Sequence, residues 1–192
     1  LPAEDGPYTR AYHMQGDVLG ILDQGRDLMI AHPPCTFLTG SGVQWLSHPE
    51  DKALPFEERR PHPKYPNRRN DMLNSIEFVK ALLNAPIDKI ALENPVSIIS
   101  SVIRKPDQII QPYYFGDEES KRTCLWTKGL PKLEQTNVVK PKIYAYYKSG
   151  KKKGQPIYGN SYMKSSEDRA VLRSKTFPGI ARAMAEQWGE LI

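Results

Sequence analysis

Two short apolar runs, Leu28-Met29-Ile30-Ala31 and Ile90-Ala91-Leu92, are each preceded by a charged residue (Asp27, Lys89) and followed within three residues by a proline. Runs this brief and this continuously apolar fit inner strands covered on both faces, and the residue before a proline is pushed out of helical geometry. Between them, Asn70 caps a predicted helix running to about Ala85, because Met72, Leu73, Ile76, Val79, Leu82 and Leu83 recur at helical spacing and Pro86 follows. The pattern is a βαβ unit. Such crossovers are right-handed, and they put the C-terminal ends of both strands on one edge of the sheet, where open α/β sheets bind ligands. The strings Ala31-His32-Pro33-Pro34-Cys35 and Ala91-Leu92-Glu93-Asn94-Pro95 close the two strands. A thiol, Cys35, and a carboxylate, Glu93, 58 positions apart in sequence, are therefore predicted to converge at that edge.

A thiolate is a strong nucleophile, and a carboxylic acid beside it can protonate a ring nitrogen as the thiolate adds. That combination activates C5 of a pyrimidine: attack at C6 with proton donation to N3 turns an unreactive aromatic carbon into an enamine. Cys35 would be the nucleophile and Glu93 the N3 partner, with Asn94 orienting the loop. The plainer readings are a small apolar filler for a lone cysteine at a strand end, and a turn cap for the glutamate. His32 fits a base, a phosphate contact or a structurally satisfied imidazole, the last being favoured. Cys124, within Thr123-Cys124-Leu125-Trp126, reads as core.

At 192 residues with 39% hydrophobic content the chain is long enough for one cored domain with a small appendage. No apolar run is long enough for a membrane span, no secretory signal is visible, and two cysteines outside any CxxC or Cys/His cluster argue against a disulfide framework or a zinc site. A reducing cytoplasm is the expected setting. The net charge of +5 is regional: residues 111–164 hold eleven Lys or Arg against four acidic residues, so the rest of the chain is slightly acidic. Seven of the ten tyrosines, including Tyr144, Tyr146, Tyr147, Tyr158 and Tyr162, fall in the same segment, around the run Lys151-Lys152-Lys153. Cations among stackable rings suit a nucleic-acid surface, and equally a solvated β-hairpin with a lysine-rich turn. Residues 47–70 carry five prolines and no periodicity, together with Arg59, Arg60, Arg68 and Arg69, and read as a mobile flap over the Cys35 edge or a disordered insertion.

The PPC and ENP strings, in this order, resemble the catalytic motifs of cytosine-5 DNA methyltransferases, and the chain most resembles the compact methyltransferase-like proteins of phages and prophages. The resemblance rests on Gln15-Gly16-Asp17-Val18, Asp27 through Thr36, Glu93-Asn94-Pro95-Val96-Ser97, Arg104 through Pro112, Thr123 through Pro131, and Arg173-Ser174-Lys175-Thr176. It implies an α/β, Rossmann-like, S-adenosylmethionine-dependent methyltransferase fold, lacking its first strand and helix. It places Asp17, Pro33 and Pro34 at the cofactor and makes Cys35, Glu93 and Asn94 catalytic. DNA becomes the partner, through Arg59, Arg60, Arg68, Arg69, Lys121, Arg122, Lys151, Lys152 and Lys153. Phe177-Pro178-Gly179-Ile180 resembles the last motif, which folds back beside the cofactor; Ile180, Met184 and Trp188 would also pack a core in almost any fold.

Four departures qualify the match. No Gly-rich turn follows an initial strand and no acidic ribose ligand follows it, so the methyl-donor half of the site is expected to be partial or independent cofactor binding lost. Thr36-Phe37-Leu38 stands where a glutamine follows the cysteine in the larger enzymes. The arginine-rich motif appears as Glu119-Ser120-Lys121-Arg122-Thr123. Some 45 residues separate Leu130 from Thr176, far fewer than a full target-recognition domain, so sequence-specific reading is not expected. Relatives that methylate an amine carry Asp or Asn before Pro-Pro, whereas His32 and Cys35 here favour thiol addition. The chain is thus expected to have a methyltransferase-like core over residues 1–130, a basic β-appendage over 131–165 and a returning helical segment over 166–192. Its expected activity is cytosine-5 methylation of DNA. Transfer of another one-carbon group, action on a free pyrimidine nucleotide, and a non-catalytic nucleic-acid-binding role remain open.

Overall fold

The computed structural model describes residues 13–159 and 176–192. Tyr162 and the string Arg173-Ser174-Lys175 lie outside the described residues. The βαβ unit is present: β1 (Leu28–Ala31) pairs in parallel with β2 (Lys89–Pro95), Ala31 opposite Leu92, and helix α1 (Arg68–Leu83) connects them. The helix starts two residues before the predicted cap. Asn67 takes the N-cap position, and Arg68 and Arg69, whose side chains reach back to earlier loops, form the first turn.

The sheet is mixed, in the order β1-β2-β4-β3, with β3 spanning Gln108–Ile110 and β4 spanning Thr123–Lys128. β4 runs antiparallel to both of its neighbours, with Thr123 opposite Pro95 on one side and Ile110 on the other. Its N-terminal end therefore arrives at the edge where β1, β2 and β3 finish. A separate antiparallel hairpin is formed by β5 (Ile143–Tyr146) and β6 (Pro156–Tyr158), within the predicted basic appendage.

Alternation along the central strands sorts the core into two layers. Leu92, Cys124 and Trp126 face α1 and meet its Ile76, Val79 and Leu82. Ala91 and Leu125 face the other way, onto helix α2 (Pro178–Gly189), which buries Ile180, Ala183, Met184 and Trp188 against them. The two fully buried indoles satisfy their only donors, Trp126 on the Arg104 carbonyl (2.8 Å) and Trp188 on the Pro131 carbonyl (3.2 Å). Close approach at the start of α2 requires glycine: a Cβ on Gly179 would stand 2.0 Å from the Phe115 carbonyl oxygen, while the Gly179 N–H donates to Asp117 (2.9 Å).

Three expectations are corrected. β2 is covered on both faces, but β1 lies at the end of the strand order and leaves Ile30 exposed, so its apolar character reflects one covered face and an edge. Leu73 is exposed on α1; only part of the apolar spacing is needed against a sheet that contacts one side of the helix. Residues 47–70 are neither a structureless flap nor an insertion without folding. They contain short 3-10 turns at Pro49–Ala53 and Phe56–Glu58, and a His62–Tyr65 bridge.

Candidate functional site at the strand ends

The two motif strings meet as the βαβ geometry requires. The buried Asn94 side chain donates through Nδ2 to the Pro33 carbonyl (3.0 Å), and His32 Nδ1 lies 3.1 Å from Glu93 Oε2. The carboxylate side chain is mostly enclosed, at 15% exposure, and the imidazole is more open at 37%. Register explains the pairing. Ala31 is opposite Leu92, so the residues that follow them, His32 and Glu93, project on the same side of the sheet. His32 is thus the hydrogen-bond partner of Glu93 itself.

Cys35 is half-buried and opens a turn in which its carbonyl accepts the N–H groups of Leu38 (3.0 Å) and Thr39 (3.1 Å). That turn is stitched to the segment after β2: Thr39 bridges Ser97, and the Ile98 N–H donates to the Leu38 carbonyl (2.9 Å). Arg68 braces it from α1, donating to the Thr36 carbonyl (2.9 Å) and the Gly42 carbonyl (3.0 Å). Gly42 has no room for a side chain, since a Cβ would lie 2.4 Å from the Thr36 carbonyl oxygen. Asn94 Oδ1, Ser97 Oγ and Gln111 Oε1 are buried and unpaired, all three beyond or at the ends of strands that finish on this edge.

Two depressions flank Pro34. One, of about 270 Å³, runs along the outer side of β1 and is lined by Val18, Ile30, Pro33, Pro34, Phe78 and Leu82 among others. The second, of about 380 Å³, shares Pro34 and Phe78 and adds Phe37, Asp71, Asn74 and Ser75. Asp17, one residue before Val18, caps the 3-10 turn Val18–Ile21 by accepting the Leu19 N–H at 3.0 Å. Val18, the residue after Asp17, thus lines the first depression together with Pro33 and Pro34.

Three of the four arginines expected to face nucleic acid hold the 47–70 segment together. Arg59 donates to the carbonyls of Leu54 and Lys52, and Arg69 to Leu46, Ser47 and Arg59. Arg68 braces the Cys35 turn, and Arg60 forms a multiply bonded pair with the buried Asp51, at 2.6 Å to Oδ1 and 3.0 Å from Nε to Oδ2. Arginine is suited to this because its planar fork offers five donors to several carbonyls at once. Arg122 is exposed just before β4, and Lys121 lies 5.8 Å from the centre of the Phe177 ring. Lys151, Lys152 and Lys153 form the exposed turn of the hairpin, with Lys152 over the Tyr147 ring. The hairpin docks beside the site edge: Lys142 N–H donates to the Glu118 carbonyl (2.7 Å), Tyr144 pairs with Glu119, and Gly159 packs on Ser120. Burial, reinforced by that Glu119 carboxylate, pushes the Tyr144 hydroxyl up to about 12. Burial also pushes the Cys124 thiol up, in keeping with its place in the core.

The Asp51–Arg60 pair gives the segment a pH signature. The hydrogen bonds from the Arg60 side chain and then its backbone N–H hold the Asp51 carboxyl at about 2. A depressed carboxylate contributes fully above its ordinary value of about 4 and loses that contribution as pH falls toward the folded value. An acid-induced change in the emission of Trp45, packed on His62 of this segment, is therefore expected between pH about 4 and 2. Asp51→Asn should abolish that acid limb in a fluorescence titration; an unchanged limb would assign it to another group.

Among the described residues no group of three or more His, Cys, Asp or Glu is placed to hold a metal ion, and no helix is long and apolar enough to cross a membrane. In comparisons of the chain with protein-family models, curated proteins and solved structures, none matches.

Proposed function

We propose that this protein methylates C5 of cytosine in DNA through a covalent Cys35 adduct, with Glu93 as the proton donor to N3. The reading is carried by the cross-strand joining of the two motif strings, Asn94 to Pro33 and Glu93 to His32, at the C-terminal edge of parallel β1 and β2. The carboxylate stands at the end of β2 and the thiol in the turn that follows β1, so the two reach this edge from separate segments. The mixed α/β sheet, with helices on both of its layers, is compatible with a methyltransferase core.

In this scheme the Cys35 thiolate gives its electron pair to C6 of the cytosine. As the S–C6 bond forms, the ring electrons shift toward N3, which takes the proton from Glu93. His32 Nδ1, 3.1 Å from the carboxylate, positions Glu93 for that transfer. The adduct is an enamine at C5. S-adenosylmethionine, when bound, supplies the electrophilic methyl group. Transfer of the C5 proton to a water molecule then expels the Cys35 thiolate, N3 returns its proton to Glu93, and the aromatic ring is restored. A cytosine within a duplex must leave the stack to reach Cys35.

The residues present fit the adenosyl end of that cofactor. The apolar slot bounded by Val18, Ile30, Pro33 and Pro34 suits a purine face, and one oxygen of Asp17 stays available beyond its bond to the Leu19 N–H. With the adjoining depression, which shares Pro34 and Phe78, the space reaches the roughly 300–1,000 Å³ usual for small-molecule sites. The decisive experiment incubates the protein with methyl-labelled S-adenosylmethionine and cytosine-containing DNA. Label is expected in 5-methylcytosine after hydrolysis to nucleosides; label on the exocyclic amine, or DNA bound without label, would overturn the reading. Binding without transfer would leave the non-catalytic role, for which the exposed lysine turn of the hairpin is the supporting feature.

A further inference from the structure

We propose that the cavity between Trp45 and Phe56 is a second binding pocket, for a phosphate that carries a stacked base. It has a volume of about 390 Å³, and its walls include Trp45, His48, Lys52, Phe56, Arg59 and His62. None of its lining residues is acidic. Of the carboxylates next to lining residues in sequence, Glu50 and Asp51 are engaged by Arg60, and Glu57 and Glu58 are exposed on the 3-10 turn at Phe56.

His62 is preset as a donor, while His48 Nδ1 also lies 3.6 Å from Glu50 Oε2 and 3.4 Å from Arg60 Nη2. The Glu50 N–H donates to His48 Nδ1 (3.4 Å) and the Lys64 N–H donates to His62 Nδ1 (3.2 Å). An Nδ1 that accepts a backbone N–H leaves the proton of the neutral ring on Nε2. Neither Nε2 has a hydrogen-bond partner among the described residues. His62 is only 6% exposed, and its Nε2 keeps contact with solvent, so the ring offers a donor on the wall of the cavity it lines. Arg59 is fixed through Nε and Nη2 on the carbonyls of Leu54 and Lys52, which leaves Nη1 available, and Lys52 adds a mobile positive charge.

Donors from four side chains exceed what a single carboxylate oxygen can use but match the several oxygens of a phosphate. The aromatic walls add the rest. Trp45 and Phe56 are 39% and 41% exposed, large rings held at the mouth by His62, Tyr65 and Arg69, and a base can stack on such rings whatever its identity. A free nucleotide and a nucleotide within a strand share this chemistry. The pocket uses neither Cys35 nor Glu93, and its occupancy is read by binding alone, so its failure and the failure of methyl transfer are separate results.

Trp45 is a built-in reporter, because Trp126 and Trp188, the other two tryptophans, are 0% exposed. The full chain is titrated with dCMP, deoxycytidine, inorganic phosphate and an oligodeoxycytidylate lacking terminal phosphates. Quenching of Trp45 by dCMP or by the oligonucleotide is expected, with deoxycytidine at least about tenfold weaker, one charge-assisted hydrogen bond being worth that factor. Inorganic phosphate should compete without quenching. Tighter binding of dCMP assigns the pocket to free nucleotides, and tighter binding of the oligonucleotide assigns it to a strand. His48→Asn and His62→Asn keep an acceptor where Nδ1 stood and delete the Nε2–H, so each should weaken binding about tenfold with the near-UV spectrum preserved. Lys52→Ala, at an exposed position, tests the charge without touching the framework. Absence of quenching by both phosphate-bearing probes overturns the proposal, as does equal binding of deoxycytidine and dCMP, or wild-type affinity in all three variants.

Discussion

A Cys35→Ser protein is expected to transfer no measurable methyl group to DNA and to form no stable adduct with DNA containing 5-fluorocytosine, while folding normally. The substitution changes one atom in a half-buried turn whose hydrogen bonds run through the Cys35 carbonyl to Leu38 and Thr39 and do not involve the thiol. Backbone geometry, the Asn94–Pro33 clamp and thermal stability should therefore be retained, with any change within about 0.5 kcal/mol, as for substitutions that break no packing or network. Chemistry should not survive, because a serine hydroxyl is a far weaker nucleophile than a thiolate without a strong base to ionise it. Denaturing gel electrophoresis of the fluorocytosine complex reads the S–C6 bond directly. Wild-type protein should migrate with its DNA and the variant without it. Turnover by the serine variant at anything near the wild-type rate would remove Cys35 from the reaction and leave it a strand-end filler.

The second large effect falls on Glu93. Glu93→Gln preserves shape and a hydrogen bond to His32 but carries no transferable proton, so methyl transfer should drop by about 10²–10⁴, the range that a positioned acid contributes. The cost to folding should be small, since no other hydrogen bond ties the Glu93 side chain to the core. A companion His32→Gln change should cost less than Glu93→Gln and should alter the pH profile of the rate, because His32 touches the carboxylate and not the base. A profile identical to wild type would reduce His32 to a structural support. Equal losses from Glu93→Gln in DNA binding and in transfer would show that the carboxylate holds the loop and does not deliver the proton.

Local pattern made the strand pair and the intervening helix legible before any coordinates, because short apolar runs and 3.6-residue spacing are properties of the chain itself. The convergence of the PPC and ENP strings followed from parallel topology alone. What pattern did not reveal is instructive. Arg59, Arg68 and Arg69 also brace the fold, because folding brings the carbonyls of Thr36, Gly42, Leu46 and Leu54 within reach of their guanidinium groups, while the more exposed Arg60 pairs with Asp51. Sequence spacing carries no signal for such a partner. The His32–Glu93 pair was hidden for the same reason, although the register of two parallel strands starting at Leu28 and Lys89 contains it once the pairing is known. The aromatic pocket around His62 was missed because its residues span an irregular stretch with no period to detect.

The short segment from Asp117 to Thr123 makes the protein modular. It receives α2 through Asp117 and the hairpin through Glu118, Glu119 and Ser120, then enters the sheet as β4. Because the hairpin attaches to that connector and not to the sheet, its length and lysine content can be changed without repacking a single core residue. A chain built this way can exchange one hairpin for another while the strand ends beside Cys35 and Glu93 stay where they are.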